Sequence, residues 1–136
     1  MDSQLDHNKN LVRRYYEINT HGSTGIEEVV SDGFVDHHFP PSLPPGPEGV
    51  KQFFGNVLGA VFSDMSIVHD EIIAEGNMVI TKFALHARHT AEFAGIPAKN
   101  NAVVCPAFSM FRIENGKLVE SWEIADLLGL FEQMKA

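Results

Sequence analysis

Two sharp turns in the second half of the chain constrain its fold more than any other feature. Glu75-Gly76-Asn77 separates residues 65–74 from 78–90, and Glu114-Asn115-Gly116-Lys117 separates 102–114 from 117–126. All four stretches alternate apolar and polar residues, and a glycine-bearing turn between two such stretches signals a β-hairpin. The second half is therefore expected to form four long antiparallel strands. Between the hairpins lies AEFAGIPAKNN (91–101), whose Gly95 and Pro97 suggest an irregular arm.

The first half reads differently. Leu5, Leu11, Val12, Tyr15, Tyr16 and Ile18 fall on one helical face over residues 3–20, and His21-Gly22-Ser23-Thr24-Gly25 ends that helix. A short helix around 25–31, capped by Ser23 or Thr24, and a brief strand at Phe34–His38 are expected next. Residues 40–47 hold five of the seven prolines in a stiff extended loop. Pro47 suits the first turn of a second helix. Its apolar residues Val50, Phe53, Phe54, Val57, Leu58, Val61 and Phe62 keep helical spacing throughout. Leu127–Met134 reads as a short apolar helix or turn. Helices first and long strands after define an α+β fold, a single domain over residues 1–136. Its curved antiparallel sheet wraps the N-terminal helices as a cone, and a pocket inside is expected.

Charge narrows the function. A formal net charge of −8 and a pI near 5.2 argue against nucleic acid and against anionic membrane surfaces as partners. The N-terminal MDSQLDHNKN has no apolar core, and no apolar run approaches the roughly 20 residues of a spanning helix. The expectation is a cytoplasmic protein. The lone Cys105 excludes an internal disulfide and a cysteine-rich metal site; beside Pro106 it reads as a small buried hydrophobe. There is no nucleophile elbow and no phosphate-binding glycine loop.

The fourth strand ends Trp122-Glu123-Ile124-Ala125-Asp126. Strict alternation places Leu118, Glu120, Trp122, Ile124 and Asp126 on one face. If that face lines the pocket, Asp126 is a desolvated carboxylate suited to moving protons. If not, it caps the helix that follows. The residues leave both readings open. The strand before it has two registers. An even turn puts Cys105, Ser109 and Phe111 on the face of Asp126; a bulged turn, which we prefer, puts Phe108, Met110 and Arg112 there. His37 and His89 are candidate pocket donors; a metal site formed by them with Asp126 is conceivable, and nothing in the spacing requires it. Tyr15 and Tyr16 read as core, with a hydroxyl at a pocket wall as the alternative.

FVDHHFP (34–40), PEGVKQFFGNVLGAVFSDM (47–65), HTAEFAGIPA (89–98) and FRIENGKLVESWEIADLLGL (111–130) together resemble the SnoaL-like polyketide cyclases, of the nuclear transport factor 2-like superfamily. The resemblance implies cofactor-free acid/base chemistry with no metal: an aldol-type cyclisation or isomerisation of a carbonyl-containing, polyketide-like substrate. It assigns the general acid/base to Asp126 and makes His37 and His89 candidate pocket polar groups; Tyr15, Met110 and Trp122 join them as candidate pocket residues from the helix face and strand registers above. It also implies a homodimer through the outer sheet face, where Met78, Ile80 and Ala84 look too apolar for water. Two departures stand out: Ala91 follows His89-Thr90 where the family often has glycine, and Met110 and Arg112 occupy positions where the cyclases carry polar pocket groups. A non-catalytic small-molecule-binding module is the alternative.

Overall fold

The computed structural model describes residues 3–136. Helix α1 spans Ser3–Asn19 and buries Val12, Tyr15 and Tyr16. A single 3₁₀ turn at Ile26–Glu28 leads directly into strand β1, Val30–Asp36. The short helix expected at 25–31 is thus cut to one turn, because Val29 and Val30 already face the core. Helix α2 covers Gly46–Gln52 and continues as a widened π-helical turn, Phe53–Leu58. Gly49 lets it start tightly against the proline loop, since a side chain there would collide with the Pro44 carbonyl. The helical spacing predicted through Phe62 stops at Leu58. Gly55 and Gly59 weaken the helix, and Val61 and Phe62 are buried around the start of the next strand instead.

Strands β2 (Phe62–Glu75), β3 (Met78–His89), β4 (Ala102–Glu114) and β5 (Lys117–Ala125) follow, and helix α3 (Leu127–Lys135) closes the fold. The sheet order is β1-β5-β4-β3-β2, antiparallel except that β1 runs parallel to β5. Helix α1 lies across the inner face of the curved sheet, against β2, β3 and β5. Its Tyr15 packs among Tyr16, Phe34, Phe54 and Phe111 at ring-centre distances of 5.1–6.0 Å. Each such side chain taken fully from water contributes about 1.5–3 kcal/mol. A second apolar cluster, with Val61, Phe62, Ile96, Val103, Leu130 and Met134, joins the arm and α3 to the sheet.

Candidate active site

The geometry of the site starts at the β4–β5 hairpin. Asn115 and Gly116 both have positive φ, 52° and 74°, the two-residue turn whose twist suits a hairpin. Pairing begins Glu114↔Lys117 and Ile113↔Leu118, then shifts to Arg112↔Glu120. The unmatched residue is Val119, a β-bulge. Side chains alternate with period two, so one extra residue inverts every position beyond it. Leu118 is fully buried, yet Glu120 lies outside, while Ser121 is buried and Glu123 and Ala125 face the cavity. Opposite them on β4, Cys105, Ala107, Ser109 and Phe111 also point inward.

Between this inner face and the helices lies a cavity of about 90 Å³. Phe53, Phe54, Phe62, Phe83 and Leu130 form its walls, with Tyr16, His38 and Glu123 among its few polar residues. The Tyr16 hydroxyl donates to Ser109 Oγ at 3.0 Å, and Ser109 Oγ donates to Glu123 Oε1 at 3.0 Å. His38 Nε2 stands 3.4 Å from Glu123 Oε2. Asp36, at the end of β1, fixes the backbone beside them. Its Oδ1 accepts from the His38 N–H, and its Oδ2 from the Ser121 hydroxyl, both at 2.7 Å.

Burial pushes the Glu123 carboxyl above its usual range; Asp36 adds to the rise, and His38 and the Ser109 hydrogen bond partly offset it. Asp36 is raised as well, chiefly by burial and against its two hydrogen bonds. Burial holds the Tyr16 hydroxyl firmly protonated and raises the Cys105 thiol, so neither is an anionic nucleophile at neutral pH. The arrangement offers one carboxyl in an apolar wall, oriented by a hydroxyl pair and faced by an imidazole.

The residues singled out by sequence lie elsewhere. Asp126 is exposed at the N-terminus of α3, where its side chain accepts from the Gly129 N–H at 3.0 Å. The structure thus places it as a helix cap, outside the cavity. Met110 and Trp122 do pair, as the preferred register requires, but both lie on the outer face: Met110 by the alternation of β4, which turns Phe111 inward, and Trp122 by the bulge in β5. His37 is also outside, stacked on Trp122 with Nε2 2.7 Å from Glu120. Tyr15 is sealed in the aromatic core rather than lining the cavity. His89 is fully buried beside Phe62, apart from Glu123. Glu123 and Asp36 escaped the sequence reading, and Ser109 entered it only through the register not preferred. The signal that finds them is the opposite-charge match of Arg112 with Glu120 beside the apolar match of Ile113 with Leu118. Both hold together only if a residue bulges between Leu118 and Glu120.

This cone of sheet and helices is a fold shared with known proteins. The chain belongs to the SnoaL-like polyketide cyclase family, whose model matches residues 9–134. It is 28% identical over 139 residues to the aklanonic acid methyl ester cyclase DnrD of Streptomyces peucetius, covering 98% of this chain and 92% of that protein. It is 29% identical to the aklanonic acid methyl ester cyclase DauD of Streptomyces sp. strain C5, with 98% and 83% covered. Its fold matches TsrD of Streptomyces laurentii with a TM-score of 0.83 at 21% identity, each chain covered to 95%. IdmH of Streptomyces antibioticus gives 0.79 at 26% identity, covering 95% of this chain and 99% of its own.

Proposed function

We propose that this chain is a single-domain, cofactor-independent enzyme of the cyclase type, with Glu123 as the general acid/base in place of the Asp126 expected from sequence. The observation that carries this reading is the Glu123 carboxyl itself, desolvated in an apolar wall and held by Ser109 with His38 at its other oxygen. A carboxyl raised toward neutrality takes and returns protons efficiently. Glu123 removes the proton next to a substrate carbonyl, the resulting enolate carbon attacks a second carbonyl, and Glu123 returns the proton to the new alkoxide. The relatives named for aklanonic acid methyl ester support a polyketide-like carbonyl substrate. The apolar cavity walls favour a largely apolar one.

Two variants test this. Glu123→Gln is expected to lower turnover of a polyketide ester about 10²–10⁴-fold, whereas Asp126→Asn leaves it within a few-fold. Equal loss in both would return the role to Asp126. A non-catalytic binding module is favoured by one feature, that both Glu123 oxygens already have protein neighbours. It predicts ligand binding with no proton exchange at the carbon beside a ligand carbonyl.

We further propose that the outer sheet face forms a homodimer. Ile80, Phe108 and Ile124 are 42%, 56% and 81% exposed there, around two shallow grooves that also include Met110, Trp122 and Asp126. Among the described residues no helix is long and apolar enough to cross a membrane.

A further inference from the structure

Outside the cavity, helix α1 and strand β2 enclose an open cleft of about 490 Å³. Arg13, Arg14, Tyr16 and Glu17 of the helix line it, with Ile67 and His69 of the strand. On a chain of net charge −8, a cleft edged by two guanidinium groups is a local reversal of sign. The neighbouring carboxylates have partners of their own: Glu28 meets Arg14 at 3.4 Å, and Glu17 lies 3.7 Å from His21. Arg13 lacks such a partner. Its Nη1 donates to the neutral Asn10 Oδ1 at 2.6 Å, and among the described residues it forms no ion pair. His69 stands opposite. Its Nδ1 is taken by the buried Thr81 hydroxyl at 2.6 Å, while Nε2 has no protein partner and is not enclosed. Burial pushes the imidazole below its ordinary pKa, and Arg13 lowers it further.

We infer that this cleft binds an organic carboxylate, its two oxygens on the Arg13 guanidinium and its apolar body against Tyr16 and Ile67. The planar fork of a guanidinium matches the two oxygens of a carboxylate. When Thr81 donates to Nδ1, the proton of the neutral imidazole sits on Nε2 and supplies a further donor. Of the other charged groups around His69, Arg14 and Glu17 share its cleft, Asp70 and Glu71 follow it on β2, and Lys82 lies opposite Glu71 on β3. Arg13 is the charge that moves its titration. A bound carboxylate offsets that influence and favours the charged imidazole. Tyr16 and Ile67 also wall the inner cavity, so cleft and cavity adjoin. The site does not depend on the role of Glu123, which lines the cavity and not the cleft.

Hydrocinnamate and hydrocinnamyl alcohol share one skeleton and differ only in the terminal group, so their relative affinity isolates the contact. Dissociation constants of both are measured at neutral pH with the native protein, Arg13→Gln and Glu123→Gln, and the His69 imidazole is titrated by NMR. The native protein is expected to bind hydrocinnamate about 10-fold more tightly than the alcohol. Saturating hydrocinnamate is expected to raise the pH at which His69 titrates. Arg13 is exposed, so its replacement leaves the fold intact. Arg13→Gln is expected to lose the preference while still binding the alcohol. Equal affinities in the native protein, an undiminished preference in Arg13→Gln, or an unmoved His69 titration would each overturn the proposal. So would inorganic phosphate that binds as tightly as hydrocinnamate, since phosphate has nothing to lay against Tyr16 and Ile67. Glu123→Gln separates the cleft from the cavity. Unchanged affinity for hydrocinnamate supports the cleft, whereas a marked gain places the ligand beside Glu123 and rejects it.

Discussion

At the scale of single residues, the acid/base proposal turns on how Glu123 is held. Burial raises its carboxyl and the Ser109 hydroxyl lowers it, so the two influences oppose each other. The rising limb of the pH–rate profile should therefore lie above the usual 4.5 of a glutamate. Ser109→Ala should move that limb further up, because the hydrogen bond favouring the charged form is gone. A profile of kcat/KM against pH for the two proteins checks both statements; a limb that stays put would mean Ser109 does not orient the base. Strict alternation along the last strand puts Asp126 on the face of Trp122 and Glu123 on the opposite one, and the sequence reading chose Asp126. Both are short-range neighbours of the same apolar residues, and only the face of the strand separates them. That face depends on Val119, an ordinary β-former whose bulge leaves no mark in composition.

At the scale of elements, the strands were legible to within a few residues, because period-two alternation and the Gly76 and Gly116 turns are local signals. The second helix was read too long, since apolar spacing persists through Val61 and Phe62 after the backbone has left the helix. Asp126 has an evident job here. It caps α3, and α3 carries Leu127 and Leu130 to the cavity and buries Met134. Asp126→Ala should cost about 1 kcal/mol of stability, read from chemical denaturation. In the β4–β5 turn, Gly116→Ala places a side chain at a φ of 74° and should cost about 1 kcal/mol. Neither substitution reaches the Glu123 carboxyl directly.

At the scale of the whole molecule, the raised carboxyls of Glu123 and Asp36 couple stability to pH. An acid whose folded value exceeds its unfolded one contributes stability that is complete below the unfolded value. That contribution is lost as pH rises through the folded value. Thermal melting should therefore weaken as pH climbs from below 4.5 toward neutrality, and Glu123→Gln should flatten part of that slope. The outer face gives a second whole-molecule expectation. Sedimentation should report a dimer for the native chain and a monomer for Ile124→Lys, because a charge would sit where 81% of an isoleucine is exposed for a partner. Pocket and exposed apolar face are thus two sides of one strand, and the bulge at Val119 decides which residues face which side. Loss of that one codon would present Trp122 and Ile124 to the interior and Glu123 to the outer face. Chain length at this point of the hairpin therefore sets the faces of β5: deleting Val119 would exchange the lining of the cavity with the residues of the outer face.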